Sequence, residues 1–189
     1  MSFLKKLWKC LFIWNLPKAS CKEIESADVI VTQAISRSKS GEPGRGNELL
    51  AMVVRQLHRK YPDKPIIPQE EVWLALRDLR FCEVARVPDG EPWSHSTSTW
   101  NTEAVARFQA DVCRKQGWTK AALVAFPSHQ GRAAWTMEKL GLKPLIVKTP
   151  GSTNDYCHAE AAYWSARAGW RAVAREVATR IYFLFTGRM

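Results

Sequence analysis

Residues Ala121 to Phe126 read Ala-Ala-Leu-Val-Ala-Phe, an unbroken apolar run with no polar side chain to turn toward water. A half-exposed strand alternates and a surface helix keeps a polar stripe. A short run with neither pattern fits a strand buried on both faces. The rest of the chain must then be layered around it. Other short apolar or β-branched runs are Val29 to Thr32, Pro65 to Ile67, Glu83 to Val87 and Leu145 to Val147. Segments of helical spacing separate them. Glu48 to Lys60 carries Leu50, Val53, Val54 and Leu57 on one face, with Asn47 placed to cap it. Glu70 to Arg80 carries Val72, Trp73, Leu76 and Leu79, and Glu103 to Gln116 carries Val105, Phe108, Val112 and Cys113. Gln130 to Leu140 and the Ala- and Arg-rich stretch Ala159 to Phe185 complete the set. Strands joined through single helices predict an α/β fold with a mainly parallel five-stranded sheet, helices on both faces and the Leu123 segment central.

Composition narrows the function classes. The 189 residues include 28 Lys+Arg against 18 Asp+Glu, a formal charge of +10, with 46% hydrophobic residues. This excludes a disordered chain and suits one domain. No apolar run approaches the ~20 residues of a spanning helix. The charge favours anionic partners: phosphorylated ligands, anionic lipid or nucleic acid. Nucleic acid is the weakest of these, since no recognised binding motif accompanies the charge. Arg167, Arg171 and Arg175 form a helical stripe, which reads as a solvated face. Five scattered Cys without a CxxC pair argue against a zinc knuckle or a secreted disulfide scaffold. No HxH or HxxxH spacing suggests a metal site.

Residues 1–26 are set apart as an amphipathic appendage to a single domain at 27–189. Phe3, Leu4, Leu7, Trp8, Leu11 and Phe12 recur at helical spacing, with Lys5, Lys6 and Lys9 on another side. Such a helix either lies on an anionic membrane or packs on the domain. The apolar stretch Cys10 to Trp14 is too short for a signal peptide. The expected location is the cytoplasm, peripheral to the inner membrane if this helix is a surface anchor.

Ligands of parallel sheets gather at the carboxyl ends of the strands, where strand order reverses. That rule selects the segments 33–47, 68–71, 88–102 and 127–132. The first is Gly-rich and carries Arg37, Lys39 and Arg45, so it is either an anion cradle or a solvated loop. Glu70 and Glu71 follow the second strand. Residues 94–102, Ser-His-Ser-Thr-Ser-Thr-Trp-Asn-Thr, hold more hydroxyls than capping requires. His129 and Arg132 lie three apart at a helix start. There an imidazole can move a proton and a guanidinium can grip a phosphate.

Asp28 at the first strand, Glu71-Val72, Thr99-Trp100-Asn101-Thr102 and Ser128-His129-Gln130-Gly131-Arg132-Ala133, in this order, resemble the bacterial YdcF/SanA/ElyC-like family. The resemblance covers roughly residues 28–148. It implies a Rossmann-like three-layer sandwich with a polar pocket, and a link to cell-envelope metabolism. S-adenosylmethionine enters as a cofactor through this resemblance alone. The chain departs from the family at Gln33-Ala34 and Pro68-Gln69, where Gly-Gly is usual, and at Ala104-Val105. The expected site has His129 and Glu71 as catalytic groups. Gln33, Arg45, Asn47, Gln69, Thr99, Asn101, Thr102 and Arg132 are expected to bind a small phosphorylated or nucleotide-like ligand. The competing expectation is a peripheral envelope-associated accessory protein that works by binding lipid or protein.

Overall fold

The computed structural model describes residues 16–35, 40–79, 83–85, 102–157 and 168–185. Four parallel strands form one sheet in the order β2-β1-β3-β4: β1 Val29–Gln33, β2 Ile66–Ile67, β3 Lys120–Ala125 and β4 Lys143–Ile146. The expected apolar run is the interior strand β3, paired with β1 along Val29↔Ala121 to Gln33↔Ala125 and with β4 along Lys120↔Lys143 to Leu123↔Ile146.

Side chains alternate across each strand, and the core divides accordingly. Ile30, Ala122, Val124 and Leu145 join one cluster with Leu50, Val53 and Val54 of helix α2, Gly44–Lys60. Ile24 of the short helix α1, Cys21–Glu25, belongs to the same cluster. Val29, Val31, Leu123 and Ile146 join the other cluster with Ala106, Ala110 and Cys113 of α4, Thr102–Gln116, and Ala133, Ala134 and Met137 of α5, Gln130–Lys139. Both faces of the sheet are thus covered by helices. The ladder is pinned at its start by Asp28, whose carboxylate accepts the Thr119 and Lys120 amides at 2.8 and 2.9 Å. Residues 16–26 pack against this body: Ile24 is buried and the Ala19 amide donates to Ile146 O at 2.9 Å. Residues 1–15 lie outside the described residues.

Several boundaries differ from the sequence expectation for identifiable reasons. Four strands are seen among the described residues, not five. The stretch expected at Glu83 to Val87 contributes one parallel bridge, Gln69↔Ala85, and residues 86–87 lie outside the described set. The helix expected over Glu70 to Arg80 is regular only as α3, Glu70–Trp73. Beyond it the chain tightens into i→i+3 bonds, Ala75 to Val72, Leu76 to Trp73 and Leu79 to Leu76, which still bury Val72 and Leu76. Strand β4 begins at Lys143 rather than Leu145. It is the outer strand of the sheet, where Pro144 is tolerated without a missing ladder donor.

Helix α2 begins at Gly44, so Asn47 is not its cap. Asn47 is fully buried inside the first turns, where its amide donates to Pro43 O at 2.6 Å and accepts the Ile35 N–H at 3.1 Å. Gly46 is there because of what crosses it: a Cβ would stand 2.3 Å from the backbone oxygen of Tyr156. Tyr156 closes a 3-10 turn, Thr153–Tyr156, that passes over the start of α2. The last helix is α6, Gly169–Phe185, and residues 158–167 lie outside the described set.

Candidate functional site

Strand order reverses between β1 and β3. The chain leaves β1 toward β2 and leaves β3 toward β4, so the two departures open at the carboxyl edge of the sheet. Two polar clusters occupy that edge, and they differ in chemistry.

The cluster after β1 and β2 is built of amides. Gln109, buried on α4, donates from Nε2 to Thr32 O at 2.9 Å and to Ile67 O at 3.0 Å. Its Oε1 accepts Gln33 Nε2 at 3.0 Å. Gln69 accepts the Ala34 amide at 2.8 Å, and its own N–H donates to Thr32 Oγ1 at 2.9 Å. Gln69 and Asn47 therefore hold the backbone leaving β1, and Gln33 braces Gln109. Arg45 is exposed on the first turn of α2 and lowers the carboxyl pKa of Asp155. The main cause of that shift is the Ser152 amide and hydroxyl on Asp155.

The cluster after β3 is charged. It centres on a residue the sequence reading missed, Glu176 of α6, which is 3% exposed. Arg132 Nε reaches both carboxylate oxygens at 3.1 and 3.0 Å, and its Nη2 lies 3.0 Å from Oε2. Arg180, one helical turn along α6 and fully buried, donates from Nε to Oε1 at 2.9 Å and from Nη2 to Ser128 O at 3.1 Å. The Arg180 guanidinium stands 5.1 Å from the Trp135 ring centroid. Gly131 makes room for it, since a Cβ there would lie 2.8 Å from Arg180 Nη2. Arg132 Nη1 donates to Thr102 Oγ1 at the start of α4. Thr102, Arg132, His129 and Glu176 thus meet although they are far apart in the chain. The sequence signal for Glu176 was its isolation: it is the sole acid between 161 and 189, with an arginine four residues on.

His129 stacks on Phe126 at 5.1 Å between ring centroids and turns Nδ1 to within 3.7 Å of Glu176 Oε2. That separation is too long for a hydrogen bond, and Nδ1 has no hydrogen-bond partner among the described residues. Burial, reinforced by the charge of Arg132, pushes the imidazole pKa down from 6.5 to about 4 despite the nearby carboxylate. His129 is accordingly neutral at physiological pH. Burial by itself would raise the Glu176 carboxyl, but Arg132 and then His129 outweigh it and hold the group well below the usual carboxylate range. Arg132 is likewise not an open cation: Glu176 and Thr102 engage it.

Gln130 joins the end of β3 to the segment after β4. Its Nε2 donates to Ala125 O at 2.9 Å, Val147 O at 3.1 Å and Thr149 Oγ1 at 3.2 Å, while its Oε1 accepts the Lys18 ammonium. Glu71 is buried after β2. It is on the far side of β1 from His129, roughly 10 Å across the sheet by strand spacing, so it does not share the charged cluster. Thr99 and Asn101 lie outside the described residues. Among the described residues no three His, Cys, Asp or Glu side chains gather as metal ligands, and no helix is long and apolar enough to cross a membrane. No family model, curated protein or solved structure matches the chain.

Proposed function

We propose that this domain binds a small phosphorylated or nucleotide-like ligand at the carboxyl edge of its sheet, over the end of β3. The observation that carries the reading is the meeting of Thr102, His129 and Arg132 beside the reversal of strand order, from three separate chain positions. The motif order that resembles the YdcF/SanA/ElyC-like family includes these same three residues, and a Rossmann-like sandwich with a fifth strand at Ala85, outside β2, fits the bridge seen there. An anion entering this site shares Arg132 with Glu176 or displaces that carboxylate. His129, being neutral, serves as a hydrogen-bonding group and, in any chemical step, as a base. S-adenosylmethionine belongs to this reading only as one candidate ligand, through the resemblance.

The test is calorimetric titration with inorganic phosphate, nucleotides, S-adenosylmethionine and polyprenyl phosphate analogues. Wild type is compared with Thr102→Val and Arg132→Lys at a temperature where all three are folded. Loss of the guanidinium fork should weaken an anionic ligand by about 1.5–3 kcal/mol, the scale of a charge-assisted hydrogen bond. Equal affinity in all three proteins, or binding by none, refutes the assignment.

A further inference from the structure

Helix α6 reverses the usual amphipathic arrangement. The residues it buries at one-turn intervals are Ala172, Glu176 and Arg180, so two of the three are charged. At 100° per residue the opposite side collects Trp170, Ala174, Ala178 and Phe185. Of these, Trp170 is 65% exposed and Phe185 73%, and Tyr182 beside them is 52% exposed. The aromatic ends are about 22 Å apart along the axis. Arg171 and Arg175 flank one side of the stripe, with the Arg171 guanidinium 5.2 Å from the Trp170 ring centroid. The only acid of the helix is Glu176, and it is spent in the interior.

From this we infer that the outer face of α6 docks on an anionic lipid surface. Apolar and aromatic side chains on one arc, arginines at its border and no exposed carboxylate are what the headgroup–acyl boundary accepts. The formal charge of +10 works in the same direction, drawing the molecule to anionic lipid and opposing association of two copies through this face. Because the buried pairs of Glu176 hold α6 to the body, the face is presented as a rigid element. The inference is independent of the ligand site over β3.

Co-sedimentation of the full chain with phosphatidylcholine vesicles, with and without phosphatidylglycerol, provides the test. Binding should require phosphatidylglycerol and weaken with salt. In Arg171→Gln/Arg175→Gln the partition coefficient should fall about 25-fold, each cation near an anionic surface contributing about fivefold. Trp170→Ser/Phe185→Ser should abolish binding, and Ala178→Glu alone, which keeps helix propensity, should do the same if the double variant misfolds. Failure of the wild type to bind phosphatidylglycerol vesicles overturns the inference. So does undiminished binding by the α6 variants when Lys5→Gln/Lys6→Gln/Lys9→Gln eliminates it, because the lysine-bearing segment is then the anchor. Concentration-dependent dimerisation that Trp170→Ser/Phe185→Ser removes, without vesicle binding, assigns the face to a second copy instead and equally overturns the proposal.

Discussion

Replacing Glu176 with Gln should cost this protein more stability than any exposed charge it carries. The substitution keeps the side-chain shape and one carbonyl acceptor but removes the negative charge between two guanidinium groups. It also turns an amide N–H₂ toward donors that previously met carboxylate oxygens at 2.9 to 3.1 Å. Breaking a buried ion pair from one side costs about 3–5 kcal/mol, because the remaining charge stays buried and uncompensated. Arg180 is fully buried and cannot reach water, while the Arg132 side chain is 12% exposed and can partly relax. The expected loss therefore sits near the low end, about 3 kcal/mol. Urea unfolding followed by circular dichroism measures it as a lower midpoint at an unchanged slope. Adding Arg180→Met to the variant should recover part of the loss, since the second buried charge then goes too. A loss below about 1 kcal/mol, or no recovery in the double variant, would refute the reasoning, because values of that size are typical of solvent-screened pairs.

Acid should destabilise the protein early. The folded His129 pKa is about 4 against 6.5 unfolded, so the unfolded chain binds the proton first and stability falls as pH drops from about 6.5 toward 4. His129→Gln should flatten the midpoint-versus-pH curve across that window. Glu176, with its folded pKa depressed, contributes stability that is present above its unfolded value near 4.5 and lost only as pH falls below that. Gly46→Ala should destabilise by more than about 2 kcal/mol, the backbone oxygen of Tyr156 being unable to yield as a side chain would; a thermal midpoint unchanged from wild type would contradict the close approach. Gln109→Leu leaves the Gln33 amide and two strand-end carbonyls without this partner and should cost about 1–3 kcal/mol. Hydrogen exchange should report faster opening at the carboxyl ends of β1 and β2.

What the sequence made legible follows from which physical demands leave a mark on composition. Burial on both faces forces an apolar run, so β3 was visible within a residue or two, and one-sided burial forces periodicity, so α4 and α5 were visible too. Helix α6 shows the limit of that logic. Its apolar stripe faces outward and its inward stripe carries Glu176 and Arg180, a pair that reads identically whether solvated or buried. The arginine stripe placed in solvent was in part rightly placed, Arg175 being exposed and Arg171 half-buried, but the stripe that matters for packing lies beside it. Asn47 was misread because a short amide is an equally good cap or interior clamp, and only the turn over Gly46 decides between them.

The candidate residues themselves divide along the sheet edge, and the division has a chemical consequence. Sequence position correctly brought Gln33, Asn47, Gln69, Thr102, His129 and Arg132 to the carboxyl ends of the strands, since topology alone does that. It could not tell which would be consumed in holding the backbone. After β1 and β2 the chain uses amides, which donate and accept in equal measure, and Gln33, Gln69 and Gln109 satisfy strand-end groups and one another. After β3 the side chains are charged, and two guanidiniums converge on one carboxylate beside an imidazole nitrogen with no hydrogen bond among the described residues. Under the proposed function, an anion bound in the β3 half meets a carboxylate already seated between the arginines.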